Sequence, residues 1–176
     1  ASRAEGLAEQ LGKEVDIKIV GKEVEVPYES LNDFFGTLVH LVRNCVDHGL
    51  EDPETRLMMG KKEKGTLKLE AYLEDRTLKL LIADDGGGMD TNVIKNMALK
   101  KGMIDERFAQ SASEDEILQL IFAPGFSTKE EVTAISGRGV GMDAVRHTLN
   151  QLHGTIQIQT QLDQGTTFEI RIPNVA

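Results

Sequence analysis

Leu38-Val39-His40-Leu41-Val42-Arg43-Asn44-Cys45-Val46-Asp47-His48-Gly49 winds, at about 100° per residue, into a helix with two unequal faces. His40, Arg43, Asn44, Asp47 and His48 share an arc of roughly 140°. Leu38, Val39, Leu41, Val42, Cys45 and Val46 fill the rest. So wide an apolar face predicts a helix buried along most of its girth against a sheet. The polar stripe holds two imidazoles, a guanidinium, an amide and a carboxylate, with none of the Lys or Glu that solvated faces favour. Such a set suits anionic oxygen beside a hard cation. Asn offers Mg²⁺ a neutral oxygen, and Arg and His donate hydrogen bonds to phosphate. On these residues alone, a short solvated face accounts for the stripe equally well. Cys45, on the apolar arc, reads as core.

Outward from this helix, strands and helices alternate. Residues 7–11 read as a short helix closing at Gly12. Asp16–Val20 and Glu23–Val26 alternate about a Gly21-Lys22 turn and read as a hairpin. Ser30, with Asp33 three residues on, resembles a helix N-cap, and the helical period then runs to Asp47. Asp52 before Pro53 starts a shorter helix. Thr66–Leu73 and Thr77–Ala83 form a second hairpin about Glu74-Asp75-Arg76. Helices are predicted over Val93–Lys101, Glu114–Phe122 and Met142–Leu152. The last strands, Thr155–Thr160 and Thr167–Ile172, meet at Asp163-Gln164-Gly165. The expected fold is α/β: a two-layer sandwich whose mixed, mostly antiparallel sheet is covered on one face by helices. The 176 residues suit one domain spanning 1–176.

A net charge of −9 argues against a nucleic-acid or anionic-membrane binder, since both need a positive field. Cys45 is the only cysteine, which excludes an internal disulfide. No apolar run approaches ~18 residues and no signal-peptide pattern opens the chain. A cytoplasmic protein without direct membrane insertion is expected. Ala1 stands where a start methionine would, so a piece of a longer protein is expected.

Two glycine-rich segments bear on chemistry. Asp84-Asp85-Gly86-Gly87-Gly88 falls where a strand ends. A carboxylate there can accept from an exocyclic amine such as adenine N6, with glycines letting the base approach; a plain Asp-Gly turn is the bland alternative. Ser136-Gly137-Arg138-Gly139-Val140-Gly141 precedes a helix, and its backbone N–H groups suit phosphate oxygens. It is neither a dinucleotide fingerprint nor a P-loop. Just before it, Ser127, Thr128 and Lys129 are candidate phosphate partners, while Phe122 and Phe126 suit a packing latch better than base stacking.

Together these segments resemble the GHKL ATPase superfamily, and within it the catalytic domain of CheA-type chemotaxis histidine kinases. His40-x-x-Arg43-Asn44-x-x-Asp47-His48-Gly49 is similar to that family's N box, with His40 where most other histidine kinases carry glutamate. Asp84-x-Gly86-x-Gly88, Phe122 to Thr128, Ser136 to Asp143 and Gly165-Thr166-Thr167-Phe168 resemble its further boxes, in family order. The resemblance implies a Bergerat ATP-binding fold, with ATP between the helix and a lid over about 126–141. It implies ATP and Mg²⁺ as cofactors, Asn44 as the metal ligand, Asp84 as the adenine reader, and His40, Arg43 and Asn44 as the catalytic group. The nucleotide would be surrounded by Asp47, His48, Gly86, Gly88, Met89, Ser127, Thr128, Lys129, Gly137, Arg138, Gly139, Val140, Gly141 and Thr167. The implied reaction passes the γ-phosphoryl group in trans to a histidine on a phosphotransfer domain. The whole protein is then expected to be a homodimer working with a coupling protein and receptors. Gly87 and Val93 depart from the pattern, since basic residues are common at both places. A non-catalytic nucleotide-binding regulatory module of the same fold is the alternative.

Overall fold

The computed structural model describes Gly6, Glu9 and residues 12–21, 23–126 and 141–175, with Tyr28 by its backbone alone. Five strands form one sheet: β1 (Val15–Val20), β2 (Gly65–Glu74), β3 (Thr77–Asp84), β4 (Thr155–Gln161) and β5 (Gly165–Ile172). Their spatial order is β1-β2-β3-β5-β4. β1 runs parallel to β2 and every other pairing is antiparallel. Strand alternation sends Leu67, Ile82, Phe168 and Ile170 to one face, where all are buried. It sends Lys68, Lys79, Glu169 and Arg171 to the other. The sheet therefore has one apolar face to cover, and the helices cover it. This is the mixed, mostly antiparallel two-layer sandwich expected from the sequence.

The helices are α1 (Tyr28–Asn44), α2 (Pro53–Met58), α3 (Thr91–Lys100), α4 (Glu106–Ser111), α5 (Glu114–Gln119) and α6 (Met142–Gln151). Leu31, Phe34 and Leu41 of α1 meet Val145 and Leu149 of α6 in the shared core, and the Thr37 and Thr148 hydroxyls join the two helices at 3.1 Å. Asp52 caps α2 by accepting from the Thr55 N–H at 2.9 Å, as its place before Pro53 predicts. Ser113 and Glu116 form a reciprocal capping box at the start of α5. No helix among the described residues is long and apolar enough to cross a membrane.

Several local expectations fail for tertiary reasons. Glu23–Val26 is not a strand. β1 takes β2 as its partner instead, pairing Val15 with Gly65 and Val20 with Glu70, while Val24 and Val26 pack against the core. Ser30 does not cap α1; its hydroxyl donates to the Pro27 carbonyl at 3.0 Å, and Pro27 holds the cap position. The helix is not α-helical to Asp47, because Cys45–Gly49 widens into a π-helical turn. α4 has no strong apolar period and was not expected. The helix expected over 7–11 lies, apart from Glu9, outside the described residues.

Candidate functional site

The π-helical turn positions the site. The Leu50 N–H reaches back five residues to the Cys45 carbonyl at 2.9 Å, and the Lys13 ammonium gathers three carbonyls of this segment, Val46 at 2.8 Å, Asp47 at 2.5 Å and Leu50 at 2.6 Å. A cation on helix-terminal carbonyls satisfies acceptors that the helix itself cannot. Turns of this kind are frequent at functional sites. Here it carries Gly49 against the end of β3, where the Gly87 N–H donates to the Gly49 carbonyl at 2.9 Å.

The glycines of this junction are steric necessities. A Cβ at Gly86 would stand 2.0 Å from the Gly49 oxygen, and one at Gly88 would stand 2.3 Å from the Gln161 oxygen. Gly88 also has φ +72, and Gly165 at φ +114 starts β5 against the Asp84 carbonyl, 2.0 Å from where its Cβ would be. A Cβ at Gly87 would meet only Glu51 Oε1 at 3.8 Å and the Gly49 oxygen at 4.0 Å, so this position can hold a side chain. The turn docks on the β4–β5 hairpin through Asp163 N–H to Gly87 O at 2.8 Å and Met89 N–H to Thr160 Oγ1 at 2.8 Å.

Asp84 ends β3 with its carboxylate buried, 8% exposed. Its Oδ1 accepts from the Gly86 N–H at 3.0 Å. Burial is the largest influence and holds the carboxyl above its ordinary value; the nearby Gly86 N–H, Cys45 thiol and Thr166 N–H pull it back and the Asp85 charge adds to the rise. Burial likewise pushes the Cys45 thiol well above its usual range, with the Asp84 charge second, so this thiol is a donor here and not a nucleophile.

Asp84 lies in the wall of a cavity of about 390 Å³. Its polar lining is Asn44, His48, Asp84 and Thr166, and its apolar walls are Met89, Met97, Ile121, Phe126, Met142 and Phe168, with Cys45, Gly49 and Gly88 between. A concave, mostly apolar site with a few convergent polar groups suits a flat heteroaromatic ring with one amine to satisfy. Among the expected residues, Asn44, His48, Asp84, Gly88 and Met89 line this cavity, and Gly86 braces Asp84 from behind. His40, Arg43 and Asp47 do not line it. His40 sits one turn before Asn44 on the same helix, half-buried, and burial with the Arg43 charge lowers its pKa. Asp47 Oδ2 lies 3.7 Å from His48 Nε2. Thr167 is displaced by one residue from expectation: Thr166 faces the cavity beside Asp84, and Thr167, paired with Ala83, points to the opposite face of the sheet. Gly141 begins α6 as its N-cap. Ser127, Thr128, Lys129, Gly137, Arg138, Gly139 and Val140, and with them most of the expected lid, lie outside the described residues.

Phe122 packs edge-on against Phe168, with ring centroids 6.4 Å apart, as a packing latch should. Phe126, in contrast, reaches the cavity. Met97, Ile121, Met142 and Thr166 are cavity residues that the sequence did not single out. The 3.6-residue period of α3 puts Met97 on the face of Ile94 and Ala98, and that was the one available signal.

The sheet is thus covered on one face, with a buried carboxylate in the wall of a mostly apolar cavity at the strand ends. The family model described as Histidine kinase-, DNA gyrase B-, and HSP90-like ATPase matches residues 36–176, and the chain belongs to that family. The chain is 40% identical over 167 residues to chemotaxis protein CheA of Bacillus subtilis (strain 168), covering 95% of this chain and 25% of that protein. It is 41% identical to sensor histidine kinase CheAY of Helicobacter pylori (strain ATCC 700392 / 26695), covering 95% of this chain and 21% of that protein. The chain thus spans about a quarter or less of the length of these relatives. The solved catalytic domain of histidine kinase ThkA shares the fold, with a TM-score of 0.53 at 17% identity, over 98% of this chain and 89% of that one.

Proposed function

We propose that residues 1–176 form one catalytic domain that binds Mg-ATP and passes the γ-phosphoryl group in trans to a histidine on a phosphotransfer domain, in chemotaxis-type signalling. The observation that carries this reading is the buried Asp84 carboxylate, braced by the Gly86 N–H at 3.0 Å and lining a mostly apolar cavity of about 390 Å³. An adenine fits that chemistry: its amine donates to Asp84 while Met89, Met97, Met142 and Phe126 exclude water from its faces.

Phosphates extending from the base would meet Asn44 and the preceding turn of α1. Asn44, at the cavity, would hold Mg²⁺ through its neutral carbonyl oxygen. A metal held there would supply charge neutralisation for the phosphoryl group. His48 and Arg43 donate to phosphate oxygens, as do Ser127, Lys129 and the glycines 137–141. His40, whose pKa is lowered by burial and by the Arg43 charge, orients the γ-phosphate by donating a hydrogen bond from its imidazole N–H. Positioning and charge neutralisation supply most of the catalysis in such transfers. In the whole protein the partners are the phosphotransfer domain, a second copy, a coupling protein and receptors, in the cytoplasm.

The test is transfer itself. With radiolabelled Mg-ATP, a matching phosphotransfer domain should gain acid-labile, base-stable phosphohistidine, and Asn44→Ala should abolish it. Nucleotide binding without labelling, under conditions where an active CheA fragment labels the same domain, contradicts the kinase assignment.

A further inference from the structure

Asp84 and Asp85 leave β3 as neighbours and then serve different surroundings. Asp84 faces the cavity. Asp85 accepts from the Thr66 N–H at 2.8 Å and pairs with Arg56 Nη2 at 3.1 Å, and neither of those partners lines the cavity.

Behind the turn four charged side chains close on one another. Arg56 is 1% exposed. It reaches Glu51 at 2.9 Å and donates to the Lys62 carbonyl at 2.8 Å and the Asp85 carbonyl at 3.3 Å. Lys61 pairs with the other Glu51 oxygen at 2.6 Å and donates to the carbonyls of Asp85 at 3.0 Å and Gly86 at 2.7 Å. Two cations therefore face two carboxylates, and both cations also grip main-chain oxygens of the turn that carries Asp84. Burial alone would raise the Glu51 pKa, but the Lys61 hydrogen bond, its own backbone contact and the two cations bring it below its ordinary value. Burying a guanidinium is unfavourable unless every donor is used, so such groups add little net stability and instead fix geometry. Glu51 follows Gly49 by two residues, and Gly49 accepts from Gly87. The charged set thus joins α2, the π-helical turn and the Asp85–Gly86 peptide into one unit outside the cavity.

We infer that Arg56, Lys61 and Glu51 are positioning residues for base recognition, locking the Asp85–Gly86 peptide so that the Asp84 oxygen stands where an exocyclic amine arrives. They thereby set a preference for an aminopurine over an oxopurine nucleotide. The inference rests on the assignment of Asp84 to the adenine base.

Calorimetric titration of this chain with ADP and with inosine diphosphate, which lacks the amine, tests it. Arg56→Met risks the fold, so the informative variant is Lys61→Met, at the less buried cation. Lys61→Met should weaken ADP by roughly tenfold while moving inosine diphosphate by less than about twofold, flattening the preference. Lys61→Arg, which keeps the cation, should restore most of it, and adding Asp84→Asn to Lys61→Met should cost no further discrimination. Equal weakening of both nucleotides, or of neither, overturns the positioning role. Unchanged discrimination in Asp84→Asn alone would instead remove the adenine assignment beneath it.

Discussion

Gly86→Ala and Gly87→Ala alter adjacent residues of one turn and should behave oppositely. At Gly86 a Cβ would lie 2.0 Å from the Gly49 oxygen and 3.0 Å from Asp84 Oδ1; at Gly87 the nearest atom is Glu51 Oε1 at 3.8 Å. Ordinary contact begins at 3.4 Å, so the turn at Gly86 must retreat by roughly 1.4 Å. That retreat takes the Gly87 to Gly49 hydrogen bond, now 2.9 Å, and the Gly86 to Asp84 bond, now 3.0 Å, beyond bonding range. Two hydrogen bonds at about 1 kcal/mol each and overpacking strain of about 1–3 kcal/mol make a loss of about 3–5 kcal/mol. For a chain of this size the unfolding midpoint should fall by roughly 6–20 °C. Gly87→Ala should stay within about 0.5 kcal/mol of the parent. Thermal unfolding followed by circular dichroism, with and without ADP, reads both effects. Gly86→Ala should also lose the ADP-induced rise, because Asp84 is displaced, and Gly87→Ala should keep it. Equal midpoints for the two variants, or a full ADP response in Gly86→Ala, would refute the close-approach argument.

Other outcomes follow from the same geometry. Lys13→Met strips three carbonyls of their cation and should cost about 1.5–3 kcal/mol in urea unfolding; an unchanged midpoint would show that water replaces the ammonium without penalty. Asp84 gives a pH signature. Its carboxyl is raised by burial above the ordinary 3.8, so the free native state binds the extra proton. That contribution to stability is full below 3.8 and is lost as pH rises through the raised value. On the proposed function, the ADP amine supplies the ionised form with a donor. The ADP-induced rise in unfolding midpoint should therefore be largest near neutral pH and shrink on acidification, beginning above the range where ordinary aspartates titrate. Asp84→Asn should remove that pH dependence, and a pH-independent response in the parent chain contradicts it.

The β2–β3 hairpin was legible because both strands alternate and Asp75 and Arg76 take the positive φ values, 46° and 63°, that a tight turn needs. Asp84 was legible for a related reason: it is the last strand residue before the glycines. The partner of β1 was not, since alternation identifies a strand without saying which edge it joins. Gly21 hints at the answer only in three dimensions, where a Cβ would stand 2.0 Å from the Ala71 oxygen. The π-helical turn is set by Lys13, Gly49 and Gly87, which are remote in sequence, so the helical period continued past the point where the α-helix stops. Thr166 and Thr167 are alike in sequence, but neighbours in a strand lie on opposite faces, and only the register in three dimensions puts Thr166 at the cavity. Met97 and Ile121 look the same in sequence whether they fill a core or wall a cavity.

On the proposed function, the adenine base lies under Asp84 among Met89, Met97 and Met142. Methyl-labelled methionine and ADP allow a direct check by intermolecular nuclear Overhauser effects. The adenine protons should show contacts to the Met89, Met97 and Met142 methyls and none to Met58, which is 76% exposed on α2. Contacts at Met58 with silence at the three cavity methionines would contradict this placement of the base.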